Sequence, residues 1–88
     1  ERGEQARVRA RIATLTAREF QVFRGVIAGK MNKEIAAELG TALKTVKVQR
    51  GRVMEKMGVV SVAELVRLAQ NAGTNAPADS RSRTPSRF

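Results

Sequence analysis

The chain has 88 residues, 42% of them hydrophobic, and a formal net charge of +9. It holds no Cys, His, Trp or Tyr, which removes disulfide frameworks, thiolate nucleophiles, Cys/His zinc sites and imidazole acid–base chemistry, and leaves too few aromatics for a single-strand stacking platform. No apolar run approaches the roughly 18–20 residues that cross a bilayer, no signal-peptide pattern opens the chain, and the lack of Cys fits a reducing cytosol.

This length allows one domain with a small core. The excess of Lys and Arg points to a polyanionic partner if the charge is localised. It is: residues 43–58 carry Lys44, Lys47, Arg50, Arg52 and Lys56 against the single acid Glu55.

Residues 1–13 read as a polar, helix-prone linker. The chain starts at Glu1 rather than Met, so it is expected to be a piece of a longer protein. The first core helix starts at Thr16, an N-cap with Glu19 three residues on, which makes a capping box, with Leu15 and Phe20 at the staple positions. Phe20, Phe23, Val26 and Ile27 recur at helical spacing, and Gly29 stops the helix. Asn32 is expected to cap a short second helix whose stripe is Ile35, Ala36 and Leu39, ended by Gly40. The third helix runs from about Leu43 to Met57, with Gly58 as its stop. The fourth opens on Ser61 and Glu64, a second capping box with Val60 and Leu65 as staple, buries Val62, Leu65, Val66 and Ala69, and closes at Gly73. Residues 74–88 hold both prolines and few apolar residues, and are expected to be disordered. The chain is therefore expected to be all-α: a compact four-helix domain over 14–73, with a helical N-terminal linker and a disordered C-terminal tail.

The second helix, the turn Gly40-Thr41-Ala42 and the third helix have the proportions of a helix-turn-helix. At 100° per residue Leu43, Val46, Arg50, Val53, Met54 and Met57 share the inner side of the third helix, Arg50 by burying its stem. Lys44, Lys47, Val48, Gly51, Arg52 and Glu55 lie opposite. Val48 suits a thymine methyl, and Lys47 suits a guanine edge or a phosphate. Thr45 and Gln49 flank this face with groups that bond phosphate oxygens. Mid-helix Gly51 costs about 1 kcal/mol relative to Ala, a cost that close approach to a duplex would offset.

The order and spacing of Leu15-Thr16-Ala17-Arg18-Glu19, Val22, Gly29, Asn32-Lys33-Glu34-Ile35-Ala36, Leu39-Gly40, Thr45-Val46-Lys47-Val48, Met54-Glu55-Lys56-Met57-Gly58-Val59 and Ser61-Val62-Ala63-Glu64-Leu65-Val66 resemble the LuxR/FixJ/NarL-type helix-turn-helix. The resemblance is strongest to the C-terminal effector domain of FixJ-like two-component response regulators. It implies a bacterial, cytoplasmic transcriptional regulator that binds double-stranded DNA sequence-specifically, as a homodimer on a pseudo-palindromic site. It implies base contacts from Lys47, Val48 and Gly51 and phosphate or groove-edge contacts from Lys33, Thr45 and Arg52, to which the charged face adds Lys44 and Gln49. It implies a dimer surface on the fourth helix at Ala63, Val66, Arg67 and Gln70, and it allows contact with RNA polymerase. No receiver domain is expected within these 88 residues, since Asp79 in the tail is their only aspartate. Departures from the family pattern are Ala42 where Ser or Thr caps the third helix, Leu43 where Pro is frequent, Gln49 for a common His, and Val60 for a frequent basic residue.

No enzyme is expected. Of the acids Glu19, Glu34, Glu38, Glu55 and Glu64, two belong to capping boxes, Glu34 and Glu38 lie on a solvated face with Lys30 placed to pair with Glu34, and no phosphate loop or nucleophile–base pair exists. Neither a metal, a cofactor nor a small-molecule ligand is expected, and the exposed face of the third helix lacks the bulky wedge of a membrane binder. A sigma-factor-like promoter module acting within RNA polymerase is the alternative reading of the same motif.

Overall fold

The computed structural model describes residues 2–73; the expected disorder of 74–88 lies outside them. Five helices follow one another: α1 (Arg2–Ile12), α2 (Ala17–Ile27), α3 (Asn32–Leu39), α4 (Leu43–Met57) and α5 (Val62–Asn71). There is no strand among the described residues, as the all-α expectation requires.

The stops work as the local chemistry dictates. Gly40 and Gly58 end α3 and α4 with positive φ (66° and 69°), conformations that cost an L side chain steric strain. At α2, Thr16 Oγ1 accepts the Glu19 N–H and Glu19 Oε1 accepts the Thr16 N–H, at 3.1 and 3.0 Å, which closes the capping box.

Two other termini depart from expectation. Asn32 is not the cap of α3 but its first residue; Met31 holds the cap position, and Glu34 Oε1 accepts the Met31 N–H. At α5, Ser61 caps as expected, but Glu64 reaches back to the Val60 N–H rather than to that of Ser61. Val60 forms no staple: it is 95% exposed, and Val59 fills the buried place beside it. At α4, Ala42 stands at the cap with no side-chain bond, as its lack of a hydroxyl dictates.

The core is one cluster built around Phe23, Val22, Ile35, Val46, Val53, Met57 and Leu65. Burying each such side chain contributes about 1.5–3 kcal/mol. α2 packs most extensively on α4, and α3 on α4 next. Within α2, a Cβ on Gly25 would come 2.8 Å from Ile35 Cγ1, so α2 and α3 lie against each other with no room for a methyl group.

The four expected core helices follow the expected helical N-terminal segment, α1. α1 is helical, but it is more than a connector: it packs on α4 and α5. Val8 is only 3% exposed and Ile12 packs against the core. Arg9 Nε donates to Ala72 O at 3.2 Å and Arg11 Nη1 to Met57 O at 2.9 Å. Two apolar residues in a run of arginines are a weak helical stripe, which is why the docking is invisible to periodicity. The ion pair expected between Lys30 and Glu34 is also corrected. Lys30 pairs with Glu38, at 2.7 Å, because Glu34 is held by its capping bond.

Candidate nucleic-acid interface

α4 is two-sided. Val46, Val53 and Met57 are fully buried, and Met54, Gln49 and Arg50 are half-buried. Leu43, expected on the inner side, is 43% exposed, although Val46 three residues on is fully buried. The opposite face presents Lys44, Thr45, Lys47, Val48, Gly51, Arg52 and Glu55, all exposed, with Val48 at 49%. Around Gly51 nothing lies within 4 Å of where a Cβ would be, so no crowding inside the domain explains this glycine.

The electrostatics divide the cations of this helix. Lys56 is spent inside the fold: its Nζ lies 2.7 Å from Glu19 Oε1 and also donates to Thr14 O at 3.2 Å. The Lys56 hydrogen bond first, then the Thr16 N–H, hold the buried Glu19 carboxyl below its ordinary range against the opposing effect of burial. Glu19 is thus a structural carboxylate kept ionised, the reverse of a poised general acid. Arg50 donates to Asn32 Oδ1 at 2.8 Å. Lys44, Lys47 and Arg52 have no ion-pair or hydrogen-bond partner among the described residues, and neither does Lys33, exposed near the start of α3.

Of the other residues singled out in the sequence, Gln49 sits apart from the open face. It is half-buried, and its Oε1 is shielded from solvent with no hydrogen-bond partner. On α5, Ala63, Arg67 and Gln70 are exposed, while Val66 is half-buried and packs partly on the core. Two pairings were missed by sequence reasoning, Glu19–Lys56 and Asn32–Arg50. Gly25 was missed too, although a glycine in the middle of a helix was a visible signal of a close approach.

A short helix, a tight turn and a two-sided helix with an unpartnered basic face define a helix-turn-helix domain. The chain belongs to the luxR family of bacterial regulatory proteins, whose family model matches residues 13–69. It carries the DNA-binding helix-turn-helix that this family's transcription-regulating response regulators share. It is 45% identical over 71 residues to nodulation protein W of Bradyrhizobium diazoefficiens, covering 81% of this chain and 31% of that protein. It is 48% identical over 85 residues to the transcriptional regulatory protein FixJ of Azorhizobium caulinodans, covering 94% and 40%. The crystal structure of full-length FixJ from B. japonicum superposes with a TM-score of 0.76 at 46% identity, over 81% of this chain and 35% of that one. The chain therefore spans about a third of the length of these relatives. FixJ is a transcriptional regulatory protein, and the sigma-factor-like alternative finds no support among these relatives.

Proposed function

We propose that this domain reads double-stranded DNA with the outer face of α4 in the major groove, as the effector part of a bacterial response regulator acting in the cytoplasm. One observation carries the reading: Lys44, Lys47 and Arg52, open and unpartnered, surround the exposed Val48 and the bare backbone at Gly51, on a helix whose other side is locked into the core. A groove about 12 Å wide admits one helix, and cations without protein partners gain most from releasing counterions of the phosphate backbone.

In this reading Lys47, Val48 and Gly51 meet base edges. Lys33, Lys44, Thr45 and Arg52 meet phosphates or the groove rim, and Gln49 contributes through its amide nitrogen, the end left accessible by its shielded oxygen. Two copies pair through Ala63, Val66, Arg67 and Gln70 of α5, on half-sites about 10 bp apart. The linker 1–13 joins the domain to a receiver, and contact with RNA polymerase transmits the outcome. The relatives' names, transcriptional regulators, support the same reading.

The test is Lys47→Ala, measured on a duplex recovered from a random pool by selection and on a scrambled duplex. A loss of about 1–3 kcal/mol on the selected duplex, with little on the scrambled one, is expected of a base contact. An equal loss on both would demote Lys47 to a phosphate contact. Absence of any complex at low salt would sink the proposal.

A further inference from the structure

Arg50 differs from the other cations of α4. It points toward α3 rather than away from the core, its stem is half-buried, and its Nη1 donates to Asn32 Oδ1 at 2.8 Å. Asn32 is the first residue of α3 and Lys33 the second. Lys47 precedes Arg50 by three residues, the spacing at which side chains of one helix are neighbours. Arg50 thus lies at the seam between α3 and α4, and no carboxylate pairs with Arg50, Lys33 or Lys47 among the described residues. Glu34, beside Lys33, has an oxygen committed to the Met31 N–H.

The choice of partner is informative. A carboxylate at position 32 would both orient the guanidinium and cancel its charge. An amide oxygen orients it and leaves the charge intact. The bond to Asn32 is the only one the Arg50 head makes among the described residues, so most of its five N–H donors remain for another acceptor.

We infer that Arg50 is a further DNA-phosphate contact, set at the α3–α4 seam, and that Asn32 is its positioning residue. The inference rests on the reading of α4 as the groove-entering helix. In that docking mode the preceding helix crosses the backbone, so the seam between the two meets the phosphates bordering the groove. A guanidinium grips a phosphate with two parallel hydrogen bonds, which an ammonium does not. Asn32 fixes the plane of that fork before DNA arrives.

The 88-residue chain and its variants are titrated by fluorescence anisotropy, over a range of salt, into the selected and scrambled duplexes. Arg50→Met is expected to weaken both about tenfold and to make the slope of log K against log salt shallower by about 0.9. Arg50→Lys, which keeps the charge, is expected to keep the slope and lose about threefold in affinity. Asn32→Ala is expected to cost about threefold in the wild-type background and nothing in the Arg50→Met background. A wild-type slope in Arg50→Met, or a change in its base preference, would overturn the phosphate contact. An equal effect of Asn32→Ala in both backgrounds would overturn the positioning role. Thermal unfolding monitors folding; if Arg50→Met does not fold, wild-type affinity in Arg50→Lys would overturn the bidentate grip. Failure of the wild-type chain to bind any duplex would instead refute the DNA reading itself.

Discussion

Arg9, Arg11 and Arg18, on α1 and α2, each donate to a backbone carbonyl at the end of another helix: Ala72, the C-cap of α5, Met57 of α4 and Leu39 of α3. Lys44, Lys47 and Arg52, on α4, have no acceptor within the fold among the described residues. The same residue types therefore do opposite work in two regions. On α1 and α2 a cation meets the partial negative charge and the orphan carbonyls of a helix C-terminus, and it holds helices together. On α4, Lys44, Lys47 and Arg52 hold no helix end, and the proposed reading gives them a partner outside. A net charge of +9 overstates the binding surface, because part of it is consumed as internal capping.

This comparison is sharpest under substitution. Arg11→Ala leaves the Met57 carbonyl without its charged donor and is expected to cost about 1–2 kcal/mol of stability, or roughly 4–8 °C of Tm per kcal/mol, with the DNA affinity of the folded fraction unchanged. A loss of affinity at full stability would move Arg11 into the outward-facing group. Gly51→Ala should do the reverse: a gain of about 1 kcal/mol in denaturant unfolding, since the methyl meets nothing, and weaker DNA binding. Unimpaired binding would remove close approach as the reason for this glycine. Lys33→Ala is expected to leave stability within about 0.5 kcal/mol while weakening all duplexes alike and flattening the salt slope by about 0.9; altered base preference would contradict a phosphate role.

The smallest effect concerns Lys56, the cation of α4 that is tied. Because the Glu19 carboxyl is held below its ordinary value of 4.5, the pair's contribution is fully present above that pH and fades as pH falls through the depressed value. An acid titration followed by circular dichroism is expected to show less loss of stability between pH 4.5 and 2 in Glu19→Gln than in the wild type, from a lower starting point. Parallel curves would deny the pair this role.

What was legible in the sequence was local. Thr16 with Glu19, and glycine stops at 29, 40, 58 and 73, place the boundaries of α2 to α5, because capping chemistry acts over three or four residues. The two-sidedness of α4 was equally readable from its period, with Leu43 as the exception. The docking of α1 was not, since Val8 and Ile12 become apolar contacts only when α4 and α5 are already assembled. Asn32–Arg50 and Glu19–Lys56 join residues 18 and 37 positions apart. No spacing rule relates such residues, and only the packed fold brings them together. Asn32 was misread for the same reason: its side chain suits a cap, but a distant guanidinium claimed it.

The missing methyl at Gly25 sets the mechanical character of the reading motif. With Ile35 pressed against bare backbone, α3 rests on α2 like a plank on a flat joist. A larger side chain there has to displace Ile35, and Gly25→Ala is expected to disturb the packing of α3 while leaving every residue of the exposed face of α4 in place. The seating of α3, and with it the helix-turn-helix, thus depends on an atom group the protein does not have.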